Sequence, residues 1–213
     1  QFQNFSIKTL FNKQLLTNFF EKLYSFSRYR ANGGNTFIAI SHDTEQYFRK
    51  TARQYDVQFL PNAIDYEKFH CDNSRHPNTK LRLVNVGSLN TNKNQVFLIN
   101  VAKILADKGI VFDLKLVGGG QDYEMLKQRV ETLGLQKNVS LCGNVDNVED
   151  YLHESDVYVH SSLSEALGLT IIEAMAAGLP VVTLDGRGNR DLIVQGKNGY
   201  MVYEQDTEQF ADC

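Results

Sequence analysis

From residue 37 onward, the sequence alternates between short apolar runs and longer stretches with helical spacing. The apolar runs predict strands at Phe37–Ser41, Val57–Pro61, Leu81–Gly87, Phe112–Gly118, Val139–Gly143, Val157–Ser161 and Pro180–Leu184. Helical patterns lie between them at 43–54, 94–108, 121–134, 146–154 and 169–178. Strands that are apolar along their length and separated by helices are typical of a parallel sheet covered on both faces. The predicted fold class is therefore a doubly wound, Rossmann-like α/β sheet.

A polar stretch without periodicity at 70–80, HCDNSRHPNTK, divides this pattern and has the composition of a linker. Five strand candidates follow it, whereas the two that precede it are too few for a stable open sheet. We therefore predict one domain over residues 1–75, including the linker, and a second over 76–213. Asp206–Cys213 is predicted as the start of a capped helix, and we expect the chain to be incomplete at both ends.

Composition places the chain among ordinary globular proteins, with 42% hydrophobic and 22% charged residues. No apolar run approaches the ~18 residues that would span a bilayer. Cys71, Cys142 and Cys213 form neither a CxxC pair nor a metal-ligand spacing, which favours a reducing compartment without disulfides. The net charge of −3 argues against nucleic acid as a partner.

The first 60 residues are basic, with eight Lys or Arg and four Asp or Glu, whereas the rest of the chain is acidic. Aromatic side chains are interleaved with the basic residues at the start. This pattern is typical of a face that contacts a membrane surface. The alternative is a buried amphipathic helix with a solvated edge.

The segment Ser161–Val182, SSLSEALGLTIIEAMAAGLPVV, carries the strongest indication of chemistry. A strand is predicted to end at its start, and a loop containing Gly168 then leads into a helix. The N–H groups of Gly168, Leu169 and Thr170 should be unpaired at the positive end of the helix dipole. Such a helix start is a suitable binding site for a diphosphate.

Two carboxylates accompany this helix start. Glu165 lies in the loop and Glu173 on the second turn of the helix, so both can face one ligand. A loop carboxylate can reach sugar hydroxyls, and one a turn deeper can accept hydrogen bonds from a ribose diol. The alternative is that both are ordinary solvated glutamates, which are common on helices.

Two other strand ends show ligand-binding patterns. In Val84–Asn94, VNVGSLNTNKN, a strand runs into Gly87, and Lys93 places a compact positive charge where a phosphate can bind. In the run LVGGG, Gly118 allows either a close approach of backbone to ligand or simply a tight turn. His42 is a candidate residue of the donor cleft, or else a helix cap or surface group.

The strand followed by E-A-L-G-L-T-I-I-E-A-M-A-A-G-L-P-V-V resembles the signature of retaining glycosyltransferase family four, which has the two-domain GT-B fold. The resemblance covers about residues 37–210 of the chain. It implies that Glu165 lies beside the donor sugar and that Glu173 binds the ribose.

The same resemblance implies further donor contacts. The strand–glycine–loop–lysine pattern of Gly87, Ser88 and Lys93 would bind the diphosphate, although the family often has Arg where this chain has Ser88. The turn at Gly118 would lie near the donor. The loop carrying Val145 would contact the nucleotide base, the alternative being an ordinary turn in which Asp146 caps the next helix.

The function implied by the resemblance is transfer of a sugar from a nucleoside-diphosphate sugar, with a UDP-sugar favoured, to a hydroxyl of a saccharide or lipid-linked acceptor, with retention. Residues 1–75 would end an acceptor-binding domain and 76–213 would bind the donor. Glu165 and Lys93 are the predicted catalytic residues. No cofactor is expected, and no metal, because Lys93 and the helix start can stabilise the leaving diphosphate and no Asp-x-Asp motif is present.

For the cell, the resemblance favours polysaccharide or glycolipid synthesis by a cytoplasmic protein with peripheral contact at the inner membrane face. The 213-residue chain alone is expected to transfer little sugar. Other functions fit the same architecture, namely a non-catalytic nucleotide-sugar-binding module or a sugar-nucleotide epimerase. A nicotinamide oxidoreductase is disfavoured because no GxGxxG opens a βαβ unit. Fold alone does not separate these functions, so the decision rests on site residues.

Overall fold

The computed structural model describes residues 36–53, 55–71 and 79–213, and it contains two separate parallel sheets. The first is a two-stranded sheet of β1 (Thr36–Ala39) and β2 (Asp56–Phe59), which are connected by α1 (His42–Thr51). The Ser41 hydroxyl oxygen accepts a hydrogen bond from the Thr44 N–H and caps the start of this helix. The two strands predicted before the linker are therefore confirmed, each displaced by one or two residues.

The second sheet has six parallel strands in the order β5-β4-β3-β6-β7-β8. Along the chain they are β3 (Leu81–Val86), β4 (Phe112–Val117), β5 (Val139–Gly143), β6 (Val157–His160), β7 (Val181–Leu184) and β8 (Gly199–Val202). The chain starts at the centre, builds outward to one edge and returns to build the other, which is the doubly wound order. The predicted fold class is confirmed. The sequence-based prediction lacks β8, because its four residues begin with glycine and are too few to show a period.

Helices cover both faces of this sheet. They are α2 (Tyr66–Phe69), α3 (Gln95–Asp107), α4 (Tyr123–Thr132), α5 (Val148–His153), α6 (Leu169–Ala176) and α7 (Thr207–Ala211), with a 3-10 turn at Gly188–Asp191. Alternate strand residues point to opposite faces, so Leu83 packs in one hydrophobic cluster while Val84 and Val86 pack in the other. The first cluster includes residues of α3, α4 and α7, and the second includes residues of α2, α5 and α6.

Two helix starts test the predicted caps. The Asp206 carboxylate accepts hydrogen bonds from the N–H groups of Glu208 and Gln209, both at 3.0 Å, which confirms the predicted capped helix. The alternative for the Val145 loop, in which Asp146 caps the next helix, is wrong. The N-cap of α5 is Asn147, and no side chain accepts a hydrogen bond from the backbone at this helix start. The Asn147 amide nitrogen instead donates to the Asp150 carboxylate on the first turn.

The segment just before the predicted linker packs on the second sheet. Phe69 of α2 is buried in the same cluster as Leu152 and Ile171. Its carbonyl oxygen also lies 2.9 Å from the His153 ring nitrogen Nε2. The boundary between 1–75 and 76–213 stays a prediction, since residues 72–78 lie outside the described part of the chain.

The basic, aromatic start of the chain, where membrane contact was one expectation, lies outside the described residues up to position 35. None of the helices in the ranges that the structure describes has both the length and the apolar character needed to cross a membrane.

Phe112 offers a test of the sheet core. Its side chain is fully buried, whereas the neighbouring Val111 is 62% exposed. We expect Phe112→Ala to lower the free energy of unfolding by about 3–5 kcal/mol, because it removes apolar contacts and leaves a cavity. Val111→Ala is the matched control and should change stability by no more than about 0.5 kcal/mol. Urea unfolding measures both, and equal losses would contradict this assignment of the core.

Candidate functional site

The site lies where the order of the six-stranded sheet reverses, between β3 and β6. The helix that follows β3 packs on one face of the sheet, and the helix that follows β6 packs on the other. The two connecting loops, 87–94 and 161–168, therefore leave neighbouring strands toward opposite faces. Ligands of doubly wound folds bind in the crevice that such a divergence opens at the carboxyl ends of the strands.

Hydrogen bonds connect these two loops directly. The Ser161 hydroxyl donates to the carbonyl of Lys93 at 2.7 Å. The Leu163 N–H donates to the carbonyl of Asn92 at 2.8 Å, and the Asn92 amide donates to the carbonyl of Ser164 at 3.0 Å. The loops thus form one unit although they are about 70 residues apart in sequence.

Lys93 and Glu165, the two predicted catalytic residues, are in direct contact. The ammonium of Lys93 donates a hydrogen bond to Oε1 of Glu165. Both side chains are largely buried, with 23% and 12% of their surfaces exposed. The structure therefore brings together, in one ion pair, the positive charge predicted for the phosphate and the carboxylate predicted for the sugar.

His160 joins this pair and is absent from the sequence-based prediction. It is the last residue of β6, is 1% exposed, and its Nε2 lies 3.2 Å from Oε1 of Glu165. Burial lowers the pKa of this histidine, so the ring is neutral at ordinary pH. A polar residue at the end of an otherwise apolar strand was the available signal.

The charge state of Glu165 follows from its neighbours. Burial by itself raises the pKa of the carboxyl, but the hydrogen bonds from His160 and Lys93, with the charge of Lys93, outweigh it and lower the pKa to about 2. Glu165 is therefore a carboxylate throughout the physiological range and can only accept hydrogen bonds.

Tyr158 extends the buried polar group toward α6. Its hydroxyl lies 2.7 Å from Oγ1 of Thr170 and 3.3 Å from each of two other groups, the carbonyl of Val86 and Nδ1 of His160. Burial raises the pKa of this phenol, and the charges of Glu173 and Glu165 add to the increase. Both carboxylates of the predicted pair therefore lie within electrostatic reach of one buried hydroxyl.

The anion site predicted from the sequence lies at the start of α6. Gly168 is the N-cap residue, and no side chain caps this helix end. A Cβ at Gly168 would lie 2.8 Å from Cδ1 of Ile171, so a larger residue there would require the Ile171 side chain to shift. Leu169 follows on the exposed side, while the Thr170 hydroxyl is turned inward to Tyr158.

Glu173 lies one turn further along α6, apart from the Lys93–Glu165 pair. Burial raises the pKa of its carboxyl, and the charge of Lys68 on α2 opposes this effect. Lys68 also forms an ion pair with Glu149 at 3.4 Å. A half-buried carboxylate with a raised pKa is a suitable acceptor for paired hydroxyl groups.

The remaining predicted donor residues lie at neighbouring strand ends. Gly118 has a φ of +136°, and a Cβ there would lie 2.1 Å from the carbonyl oxygen of Gly87, so the two turns are in backbone contact. Ser88 is exposed, and its hydroxyl accepts a hydrogen bond from the Asn90 amide at 2.8 Å. Val145 is half-buried against the second hydrophobic cluster.

An open, polar depression of about 480 Å³ adjoins this site. It is lined by Ser88, Leu89, Asn90, Thr91, Asn92, Gly120 and Gln121. Its side chains are mostly neutral hydrogen-bonding groups, which is the chemistry that recognises hydroxyl-rich ligands.

A strained turn holds the backbone of Glu165. Arg187 has φ +68° and ψ −71°, and the Gly188 N–H donates to the carbonyl of Gly186, which forms a γ-turn of the rare kind. The Glu165 N–H donates to the carbonyl of Gly186 at 2.8 Å, and the Gly188 N–H also lies 3.1 Å from the carbonyl of Glu165. Sequence reasoning missed this turn, because an arginine between two glycines does not by itself indicate a γ-turn.

The 3-10 turn that follows this γ-turn, Gly188–Asp191, contacts His42. The His42 N–H at the start of α1 donates to the Asp191 carboxylate at 2.6 Å, and the ring nitrogen Nδ1 lies 3.2 Å from the same oxygen. Ser41, not His42, caps the helix. The role of His42 in a donor cleft stays a prediction.

Within residues 36–53, 55–71 and 79–213, no group of three His, Cys, Asp or Glu side chains is arranged so that it could hold a metal ion. The roles of the predicted site residues rest on the contacts given above and stay predictions.

Comparison with known sequences and structures finds glycosyltransferases among the proteins similar to this chain. Poly(glycerol-phosphate) alpha-glucosyltransferase of Bacillus subtilis (strain 168) is 31% identical over 178 residues, which cover 83% of this chain and 26% of that protein. UDP-Gal:alpha-D-GlcNAc-diphosphoundecaprenol alpha-1,3-galactosyltransferase of Escherichia coli is 28% identical over 170 residues, covering 74% of this chain and 44% of that protein.

A crystal structure of a Staphylococcus aureus TarM mutant, in complex with fondaparinux, alpha-GlcNAc-glycerol and UDP, superimposes with a TM-score of 0.72 at 24% identity. The superposition covers 82% of this chain and 35% of TarM, and at this identity it concerns the fold alone. The chain thus spans well under two thirds of the length of each of these proteins. The family model described as glycosyl transferases group 1 matches residues 67–213, more than half of the chain, and the chain belongs to that family.

Proposed function

We propose that this chain is the donor-binding part of a glycosyltransferase that moves a sugar from a UDP-sugar to an acceptor hydroxyl. The observation that carries the proposal is the ion pair between Lys93 and Glu165 at the reversal of the strand order. Retention at the anomeric carbon belongs to the same proposal, and its support is the resemblance of the Glu165–Glu173 segment to retaining family four.

The diphosphate would bind between Lys93 and the start of α6. An ammonium group carries three N–H donors, of which Glu165 accepts one, so others remain available to phosphate oxygens. The uncapped N–H groups at Gly168, Leu169 and Thr170 point along the positive end of the helix dipole. As the sugar leaves, negative charge grows on the diphosphate, and these fixed donors stabilise it without reorganisation.

The two glutamates would bind different parts of the donor. Glu165 is a carboxylate with two donors already on Oε1, so it would accept hydrogen bonds from the hydroxyls of the donor sugar. Glu173, one turn along α6, would accept from the ribose diol. The backbone turns at Gly87 and Gly118 would approach the diphosphate, and the loop at Val145 would contact the base.

Uracil is the base that the relatives favour. TarM was crystallised with UDP, and the E. coli relative is named for transfer from UDP-Gal. The acceptors named for the relatives are a glycerol-phosphate polymer and a sugar on diphosphoundecaprenol. We therefore favour a saccharide or lipid-linked acceptor in the synthesis of a cell-surface polymer, at the cytoplasmic face of the membrane.

Glu173→Ala tests the ribose contact. We expect the 213-residue chain to bind UDP more tightly than GDP or ADP, and the variant to weaken UDP binding roughly tenfold, the size of a lost hydrogen bond to a charged group. Isothermal titration calorimetry measures the dissociation constants. Glu131→Ala, an exposed glutamate on α4, is the matched control and should bind as the wild type does. Binding of UDP that is unchanged by Glu173→Ala would remove this residue from the site.

Lys93→Met tests the phosphate contact. The variant keeps the length of the side chain and removes its charge, so we expect UDP affinity to fall by roughly tenfold or more while uridine, which lacks phosphate, is unaffected. Lys103→Met is the control, because Lys103 pairs with Asp107 on α3, away from the site. Equal loss of uridine and UDP affinity would indicate a damaged fold rather than a lost phosphate contact.

The low pKa of Glu165 predicts a pH dependence of stability. A carboxyl whose pKa is lower in the folded chain stabilises it above the unfolded pKa, and that stabilisation is lost as the pH falls through the folded pKa. For Glu165 this window runs from 4.5 down to about 2. We therefore expect the stability advantage of the wild type over Glu165→Gln, measured by urea unfolding, to shrink from pH 5 to pH 2. A constant difference over this range would contradict the low pKa.

A further inference from the structure

We propose that His160 is a positioning residue: its neutral ring holds the Glu165 carboxylate in the orientation in which it meets the donor sugar. The inference rests on the proposed function for the identity of the ligand. The contacts that carry it, from Thr170 through Tyr158 and His160 to Glu165, are independent of that function.

The tautomer of His160 follows from its contact with Glu165. Glu165 is a carboxylate and only accepts, so the ring nitrogen facing it at 3.2 Å, Nε2, carries the hydrogen. The neutral ring then has no hydrogen on Nδ1. This nitrogen lies 3.3 Å from the Tyr158 hydroxyl, which donates its single hydrogen to Oγ1 of Thr170 at 2.7 Å. Nε2 is therefore matched to its acceptor, and the Tyr158 hydroxyl lies against the other side of the ring.

The surroundings of His160 make the ring rigid. It is 1% exposed, and Tyr158, whose ring plane is inclined to it by 26° with the ring centroids 6.0 Å apart, is fully buried. The charged and titratable groups that face the ring are Glu165, Lys93 and Tyr158. In contrast, Lys93 has a flexible side chain with a high rotamer entropy, and it is the group expected to turn toward the diphosphate.

A division of roles follows from this difference. Lys93 and His160 both donate to Oε1 of Glu165. When Lys93 shares its donors with a diphosphate, His160 still holds the carboxylate. The hydroxyl of Tyr158 links the same ring to Thr170 in the first turn of α6. These contacts hold the Glu165 carboxylate and the start of α6 in a fixed position relative to each other.

Two substitutions separate positioning from general support of the fold. The side-chain amide of His160→Gln can occupy the place of Nε2 and donate to Glu165, whereas the shorter amide of His160→Asn reaches only the place of Nδ1. Calorimetry of the 213-residue chain with UDP, UDP-glucose, UDP-galactose and UDP-N-acetylglucosamine gives the affinity for sugar beyond that for UDP.

We expect His160→Asn to weaken the tightest of these UDP-sugars by about tenfold with the UDP affinity within about twofold, and His160→Gln to recover most of the loss. Equal losses for UDP and UDP-sugar, or no recovery in His160→Gln, would overturn the positioning role. If no UDP-sugar binds the wild type, the proposed function fails. The positioning role is then tested by the tautomer and charge of the His160 ring alone.

The ring state is read by ¹⁵N NMR of the imidazole, assigned by comparison with His160→Gln. We expect the neutral Nε2–H form at pH 7.5 in the wild type, and loss of that single form in Glu165→Ala, which lacks the acceptor. A charged ring, or an Nδ1–H form, in the wild type would overturn the inference. This measurement needs no ligand, and it also serves if His160→Asn does not fold.

Discussion

The ion pair between Lys93 and Glu165 spans the crevice that opens between the loops after β3 and β6, where the strand order reverses. The loops after β3 and β6 diverge toward opposite faces, and each would expose polar backbone in the crevice if it stood alone. Side-chain and backbone hydrogen bonds join the loops at their bases, and the ion pair joins them at the mouth. The crevice therefore has fixed walls, which a site that must stabilise a growing charge requires.

Burying this pair costs solvation energy, and the neighbouring polar groups offset that cost. An isolated carboxylate in such a place would take up a proton, because desolvation favours its neutral form. Two donors on one oxygen keep Glu165 charged. His160 and Tyr158 show the opposite response to burial: both stay neutral, and they serve as hydrogen-bonding groups of fixed geometry rather than as charges.

The parts of the fold that could be predicted are those with a repeated physical pattern. Continuous apolar strands gave the parallel sheet, and the glycine-rich strand ends indicated where the chain would approach a ligand. Lys93 and Glu165 could be singled out because their residue types suit phosphate and sugar. Their mutual contact could not, because a sequence separation of 72 residues carries no distance information.

What sequence reasoning missed has the same cause in each case. His160 and Tyr158 lie in a mostly apolar strand, and their contacts with Glu165 and Thr170 depend on how the loop before α6 and the start of α6 fold over the strand end. The γ-turn at Arg187 requires a backbone conformation that arginine rarely adopts, so residue preferences argue against it. Tertiary contacts with Glu165 stabilise it there.

That turn also gives the site a mechanical connection to a distant part of the chain. Its backbone forms hydrogen bonds with the backbone of Glu165. The 3-10 turn that follows it ends at Asp191, which is hydrogen-bonded to the first residue of α1, and α1 packs with the small two-stranded sheet. A rotation of that sheet would move α1 and, through the hydrogen bond from His42 to Asp191, would displace the turn and the peptide of Glu165. Residues of α1 and the small sheet thereby help to set the position of the Glu165 carboxylate.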